Sequence, residues 1–286
     1  MTSLAKAWSG VTPKHLVIFL NTLILVVAEG LYGGLGGYDR LAASLGCCVL
    51  AEIGFSYFVL GRFPRSLLSA YISGISLSLL LKPEYGLIWP YIVGAFLAIG
   101  SKYVLRYRGR HLWNPTNFAL CLLYVIAAPV LTKLTHEFGN DFRANLVIWS
   151  VGLIIVNRAK MLHVTLAYSI SFVAFAGLRA ALVPTNQFLT ELAPLTGPMY
   201  QLLVFFMITD PMTVVKGRDG QIRVAVMIAA VECIIRLGAD YNVALLGPLY
   251  MAPALFALTI VGPIALALDL RRNAAPTGRP AVPARA

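Results

Sequence analysis

Charge is scarce in this chain. Only 12% of its 286 residues are Asp, Glu, Lys or Arg, about half the ~25% of a soluble domain. So few charges cannot cover an ordinary water-facing surface, which excludes a single large soluble domain. A composition that is 59% hydrophobic excludes a disordered chain. Cysteine is sparse too. Cys47, Cys48, Cys121 and Cys233 form no CxxC pair and lie in apolar runs. They read as small buried hydrophobes, not as a disulfide framework or a metal knuckle. No Ser/His/Asp arrangement and no metal-ligand spacing stands out, so neither catalytic residues nor a metal site is expected. His15, His111, His136 and His163 are scattered over span ends and loops and do not point to a haem pair. The glycines Gly30, Gly33, Gly34, Gly36 and Gly37 have no following Lys-Ser/Thr, which excludes a phosphate loop. A flexible turn or a close helix approach suits them better.

What is present is long apolar sequence. Ten stretches run near 15–31, 40–60, 66–82, 86–106, 115–133, 143–158, 161–183, 193–209, 221–238 and 243–269. Most fit a helix crossing a hydrocarbon core of ~30 Å. Backbone in lipid must satisfy its own hydrogen bonds, so these stretches are expected as helices. Barrel strands would alternate, and Leu79-Leu80-Leu81 does not. The first stretch leads into Glu29 and Gly30 without a clear small-residue cleavage site, so it reads as a retained helix.

With the N-terminus placed inside, inner segments carry 17 of the 23 Lys and Arg and outer segments 6. This bias predicts ten spans in a cell inner (plasma) membrane with both ends cytoplasmic. It also accounts for the net charge of +11 without a nucleic-acid partner. The lipid bilayer is then the expected partner.

The two halves echo each other. Residues 70–83 read AYISGISLSLLLKP and residues 193–211 read APLTGPMYQLLVFFMITDP. Gly74 and Gly197 are 123 apart, Pro83 and Pro211 128, and Pro115 and Pro248 133. Asn114-Pro115 is expected to open the fifth span, and Gly247-Pro248 the tenth. Five spans per half force the second half to be inverted. The expected fold is all-α and polytopic, with a cytoplasmic segment 1–14, two inverted five-helix repeats at 15–133 and 143–269, and a disordered cytoplasmic tail 270–286.

Matching Pro-interrupted segments point to a central site. The candidate binding residues are Asn114, Pro115, Thr116, Thr209, Asp210, Pro211 and Thr213. Pro leaves helix carbonyls free to face a ligand or water. The plainer reading is a helix start at Pro115 and Pro248, and a capped loop at Thr209–Thr213. Glu52 and Glu232 lie inside spans and are candidates for an ion or proton relay. The plainer reading is a carboxylic acid bonded to another helix. Arg236 follows Glu232 at i,i+4 and can pair with it, and Asp240 extends the same ladder. Lys102, Arg106, Arg108 and Arg110 suit anionic lipid or a flavin phosphate, or serve topology alone.

These residues carry a family likeness. Gly109-Arg110-His111-Leu112-Trp113-Asn114-Pro115-Thr116-Asn117 resembles the Asn-Pro motif of the Rnf electron-transport complex D subunit (RnfD) and of the related B subunit of the sodium-translocating NADH:quinone reductase (NqrB). Phe205-Phe206-Met207-Ile208-Thr209-Asp210-Pro211-Met212-Thr213 looks like their Thr-Asp-Pro motif. Leu195-Thr196-Gly197 sits where that family has Leu-Ser-Gly, and Ile72-Ser73-Gly74 to Pro83 fits its third span. The likeness runs over roughly 66–269. Within the superfamily, Arg106-Tyr107-Arg108-Gly109-Arg110-His111 is most similar to UnbU-type membrane proteins, named for enediyne biosynthetic clusters. The resemblance implies an inverted-repeat fold, related in architecture to urea channels, and flavin-linked electron transfer. One departure matters. The fifth-to-sixth connection, Lys133 to Phe142, has no Ser-Gly-Ala-Thr-like motif, only Thr135. Covalent FMN is therefore not expected, and a non-covalent flavin (riboflavin or FMN) stays open.

Two readings follow. One is a flavin- or quinone-associated electron-transfer subunit with partner membrane or redox subunits. The other is a channel or transporter for a small solute or a hydrophobic natural product. A purely structural membrane subunit is a third. Nothing marks the chain as an enzyme on its own.

Overall fold

The computed structural model describes residues 13–33, 36–132 and 142–273. The fold is all-α with one short hairpin among the described residues. In chain order come α1 (Pro13–Tyr32), α2 (Tyr38–Leu60), α3 (Leu68–Leu80), α4 (Trp89–Val104), β1 (Arg106–Tyr107), β2 (Arg110–His111) and α5 (Pro115–Ile126). Then follow α6 (Phe142–Arg158), α7 (Leu162–Leu182), α8 (Phe188–Thr196), α9 (Pro198–Leu202), α10 (Arg218–Asp240) and α11 (Pro253–Arg272). The Thr135 connection and most of the tail lie outside the described residues.

Proline sets the first turn of α4, α5 and α11, where a missing N–H costs nothing. Gly61 closes α2 in the left-handed region at φ 65°, and its N–H donates to Tyr57 O at 3.0 Å. Among the described residues, three helices are long and apolar enough to cross a membrane: α2, α7 and α11. Their outer faces are large and apolar. On α2 the buried stripe is Ser44, Cys48, Ala51, Glu52 and Ser56, while Phe58 is 85% exposed and Leu50 66%. A soluble helix has the reverse pattern.

Some expected spans are interrupted. Leu81 leaves α3 extended, and Leu131 does so after α5 and a short 3-10 turn, Ala128–Val130. The two ends meet as an antiparallel bridge between Pro83 and Leu131, with the Thr132 N–H donating to Lys82 O at 3.0 Å. The Tyr91 and Tyr124 hydroxyls donate to Leu81 O at 2.8 Å and to Thr132 O at 3.1 Å. Backbone that leaves the helix thus finds partners, as burial requires.

The stretch 193–209 is likewise not one helix. α8 stops at Thr196, Gly197 is extended, and α9 restarts at Pro198 and widens into a π turn, Leu203–Met207. Gly247-Pro248 does not open the last α-helix. It lies inside a 3-10 segment, Ala244–Met251, and α11 starts at Pro253. The cause is Pro253 itself, whose ring drives Ala252 out of the helical region, to φ −151°.

The most extensive packing joins α2 to α4 and α7 to α10. α4 also packs on α5 and α10 on α11; α1 packs on α3 and α6 on α9. Between the halves, α1 meets α6 and α5 meets α11. Glycine permits some of this. A Cβ on Gly74 of α3 would come within 2.7 Å of Leu45 Cδ2. One on Gly152 of α6 would come within 2.5 Å of the Phe205 ring.

Candidate functional site

The two motif segments meet. Asn114 is the N-cap of α5, and its Oδ1 accepts the Asn117 N–H at 3.1 Å. Its Nδ2 donates to Asp210 Oδ2 at 3.1 Å. Asp210 in turn takes the Met212 N–H at 3.0 Å and the Thr213 hydroxyl at 3.3 Å, an Asx turn that shapes the loop. Thr209 is buried, and its hydroxyl donates back to Phe205 O in the π turn. Thr116 is buried beside Pro115, whereas Pro211 is exposed.

The basic hairpin straps this contact. The Arg110 guanidinium donates to Met212 O at 2.6 Å and to Pro211 O and Val214 O at 3.2 Å. Arg108 donates to Leu270 O at 3.1 Å. The loop carbonyls of Pro211, Met212 and Val214 are therefore taken by Arg110. A planar fork of donors suits such a cluster of acceptors. Burial pushes the His111 pKa below its ordinary value, with Asp210 opposing and the neighbouring Lys102, Arg106 and Arg110 reinforcing.

Beside the contact is a pocket lined by Trp113, Asn114, Asn117, Ile208, Thr213 and Gln221, among others. Asn117 is 1% exposed. Its Nδ2 donates to Thr259 Oγ1 at 2.7 Å and to Leu255 O at 3.2 Å, while its Oδ1 has no partner. The resemblance implies a flavin near here, and the residues do not fit one as they stand. The polar groups of Asn114, Thr209, Asp210 and Thr213 are bonded within the protein. The enclosed space is about 20 Å³, enough for a water molecule and far too little for an isoalloxazine ring.

Glu52 and Glu232 fall in two separate clusters. Glu52 bonds Lys102 Nζ at 2.9 Å and the Tyr103 hydroxyl at 2.8 Å, and Lys102 also donates to Ser69 Oγ. Glu232 bonds Arg236 at 2.8 Å, as the i,i+4 spacing predicts, and takes a very short bond from the Tyr168 hydroxyl. Asp240 does not continue that ladder to Arg236; it pairs with Arg179 at 3.1 Å, and Arg179 also pairs with Glu191.

Sequence reasoning had missed Asn117, Tyr168, Tyr200, Arg179 as a buried group, and Glu191. A signal existed for Arg179, a charge within an apolar stretch like Glu232. For Tyr168 and Tyr200 there was none. Compared with models of known protein families the chain matches none, and no curated protein matches it.

Proposed function

We propose that the chain is a polytopic inner-membrane protein of ten spans in two inverted repeats, serving as a membrane subunit of the RnfD/NqrB-like kind in electron transfer. Three helices long enough to cross a bilayer and outward faces of large apolar residues favour the membrane. Matched packing favours the repeat: α2 on α4 answers α7 on α10, α4 on α5 answers α10 on α11, and α1 on α3 answers α6 on α9. One observation carries the functional part. The Asn114–Asp210 hydrogen bond joins the two segments of the family likeness, 96 residues apart in sequence. Any non-covalent riboflavin, FMN or quinone then belongs outside the closed pocket, at a junction with partner membrane or redox subunits. The test is gentle purification of the full chain followed by its visible spectrum and an inventory of bound cofactors and subunits. A flavin or quinone, or a co-purifying redox protein, supports the reading. Their joint absence, even after reconstitution with flavin, rejects it.

A second reading, a channel or transporter for a small solute or a hydrophobic natural product, is favoured by the same pocket. Its space is water-sized and the Asn114–Asp210 bond closes its edge, as at the shut end of a conduit. Liposome flux separates the two. Asp210→Ala opens the contact and raises flux under this reading, and no flux from either protein removes it.

A further inference from the structure

The cluster around Arg179 and Arg236 is the most densely ionised buried region of the described residues, and the proposed function makes no use of it. Its members come from four helices. α7 supplies Tyr168, Phe172 and Arg179, α8 supplies Glu191, and α9 supplies Tyr200. α10 supplies Glu232, Cys233, Arg236 and Asp240. Glu232 is 1% exposed, Arg179 5% and Glu191 7%. The Arg236 guanidinium lies 5.7 Å from both the Phe172 and the Tyr200 ring centroids, a contact that favours the cation.

Counting charges shows an imbalance. Arg236 is matched by Glu232, but Arg179 carries two carboxylates, Glu191 and Asp240. Among the described residues, three carboxylates face two guanidiniums. An uncompensated charge in an apolar interior is too costly to keep and is removed by taking up a proton. We propose that this cluster holds one exchangeable proton shared by its two buried carboxylates, Glu191 and Glu232, making it a buried proton station. Asp240 is its door, with 18% of its side chain exposed.

A hydrogen-bonded chain leads to the deepest acceptor. The Tyr168 and Tyr200 hydroxyls are 3.1 Å apart. Tyr168 has a single proton and gives it to Glu232, so Tyr200 supplies the proton between the two phenols. When a hydronium ion reaches the Tyr200 oxygen as the cluster opens locally, Tyr200 passes its own proton to Tyr168, Tyr168 passes its own to Glu232 Oε2, and water is left behind. Both phenols end unchanged, and the carboxylate ends as a carboxylic acid.

The proposal rests on the burial of Glu191 and Glu232 and not on any flavin or solute, so its failure is separable from failure of the functional reading. The test is infrared spectroscopy of the full chain in nanodiscs, in light and heavy water, across pH. Wild type is expected to show one carboxylic-acid C=O band at neutral pH that titrates away in alkali. Because the excess charge is one, each of Glu191→Gln, Glu232→Gln and Asp240→Asn alone removes that band. Glu52→Gln leaves it. Tyr168→Phe moves its midpoint by about one pH unit or more. Absence of the band from wild type overturns the proposal whatever the variants do. A band that disappears with only one of Glu191→Gln and Glu232→Gln overturns the sharing. If no carboxyl variant folds, an unmoved midpoint in Tyr168→Phe overturns the relay.

Discussion

Glu52 and Glu232 stand at the same depth of two long helices, α2 and α10, that are not counterparts in the proposed repeat. Each stands 14 residues after the first residue of its 23-residue helix. Each accepts a tyrosine hydroxyl and a cation. The surroundings differ. Lys102 is a flexible ammonium that also reaches Ser69, and the Glu52 side chain keeps 11% exposure. Arg236 lies against two aromatic rings, and the Glu232 side chain keeps 1%. One combination of residues thus gives a balanced pair in the first half and, in the second, an unbalanced cluster whose deepest carboxylate, Glu232, is closed to water. Burial and charge count, not residue type, make the second a candidate for storing a proton.

Removing the cation from each cluster tests this difference most strongly. Arg236→Leu leaves a buried carboxylate without its partner and is expected to cost about 3–5 kcal/mol. Lys102→Leu leaves Glu52 with Tyr103 and some water, for about 1.5–3 kcal/mol. Reversible denaturant unfolding in mild detergent measures both. Equal losses would erase the distinction between the halves.

Glycine contacts give a second comparison. Gly152→Ala places a Cβ within 3.0 Å of three atoms of the Phe205 ring, whereas Gly74→Ala meets one movable atom, Leu45 Cδ2 at 2.7 Å, and the Leu45 backbone Cα at 3.0 Å. The first is expected to cost about 1–3 kcal/mol and the second the lower end of that range. Phe205→Leu should recover part of the Gly152→Ala loss and none of the Gly74→Ala loss. Asp210→Ala comes next. It strips Asn114 Nδ2, the Met212 N–H and the Thr213 hydroxyl of an acceptor. The site is half exposed, so about 1 kcal/mol is expected, read as a lowered Tm together with freer access to Trp113 for a small quencher.

The helical fold was legible because apolar runs as long as 40–60 and 161–183 allow little else. The breaks were legible only where proline marks them. Pro115 starts α5 as read, but Pro248 misled because the rigid ring of Pro253 lies just beyond it. Gly197 gave no warning that 193–209 would split. The motif residues could be placed near one another by repeat and charge bias, yet the Asn114–Asp210 bond and the Arg110 strap depend on packing between segments about a hundred residues apart. The Arg179 cluster was hidden for the same reason. Its charges are visible in the sequence, but only the packing of α7, α8 and α10 decides that they share a site.

The smallest expected effect comes from His111, the titratable neighbour of the strap. Burial holds its folded pKa below the ordinary 6.5, with Asp210 only partly offsetting this. The unfolded chain therefore binds the proton first as pH falls. The stability that neutral His111 contributes is complete above about 6.5 and is lost as pH drops from there through the lower folded value. His111→Phe keeps a ring of similar shape and removes the proton, so its Tm should be flat over the window in which wild type declines. The Glu52 and Glu232 clusters should respond differently. Glu52→Gln, in the same half as the strap, leaves the decline in place, and so does Glu232→Gln. A decline that vanishes with Glu232→Gln would move acid sensitivity from the strap to the buried cluster and make the second half the molecule's main site of response to pH.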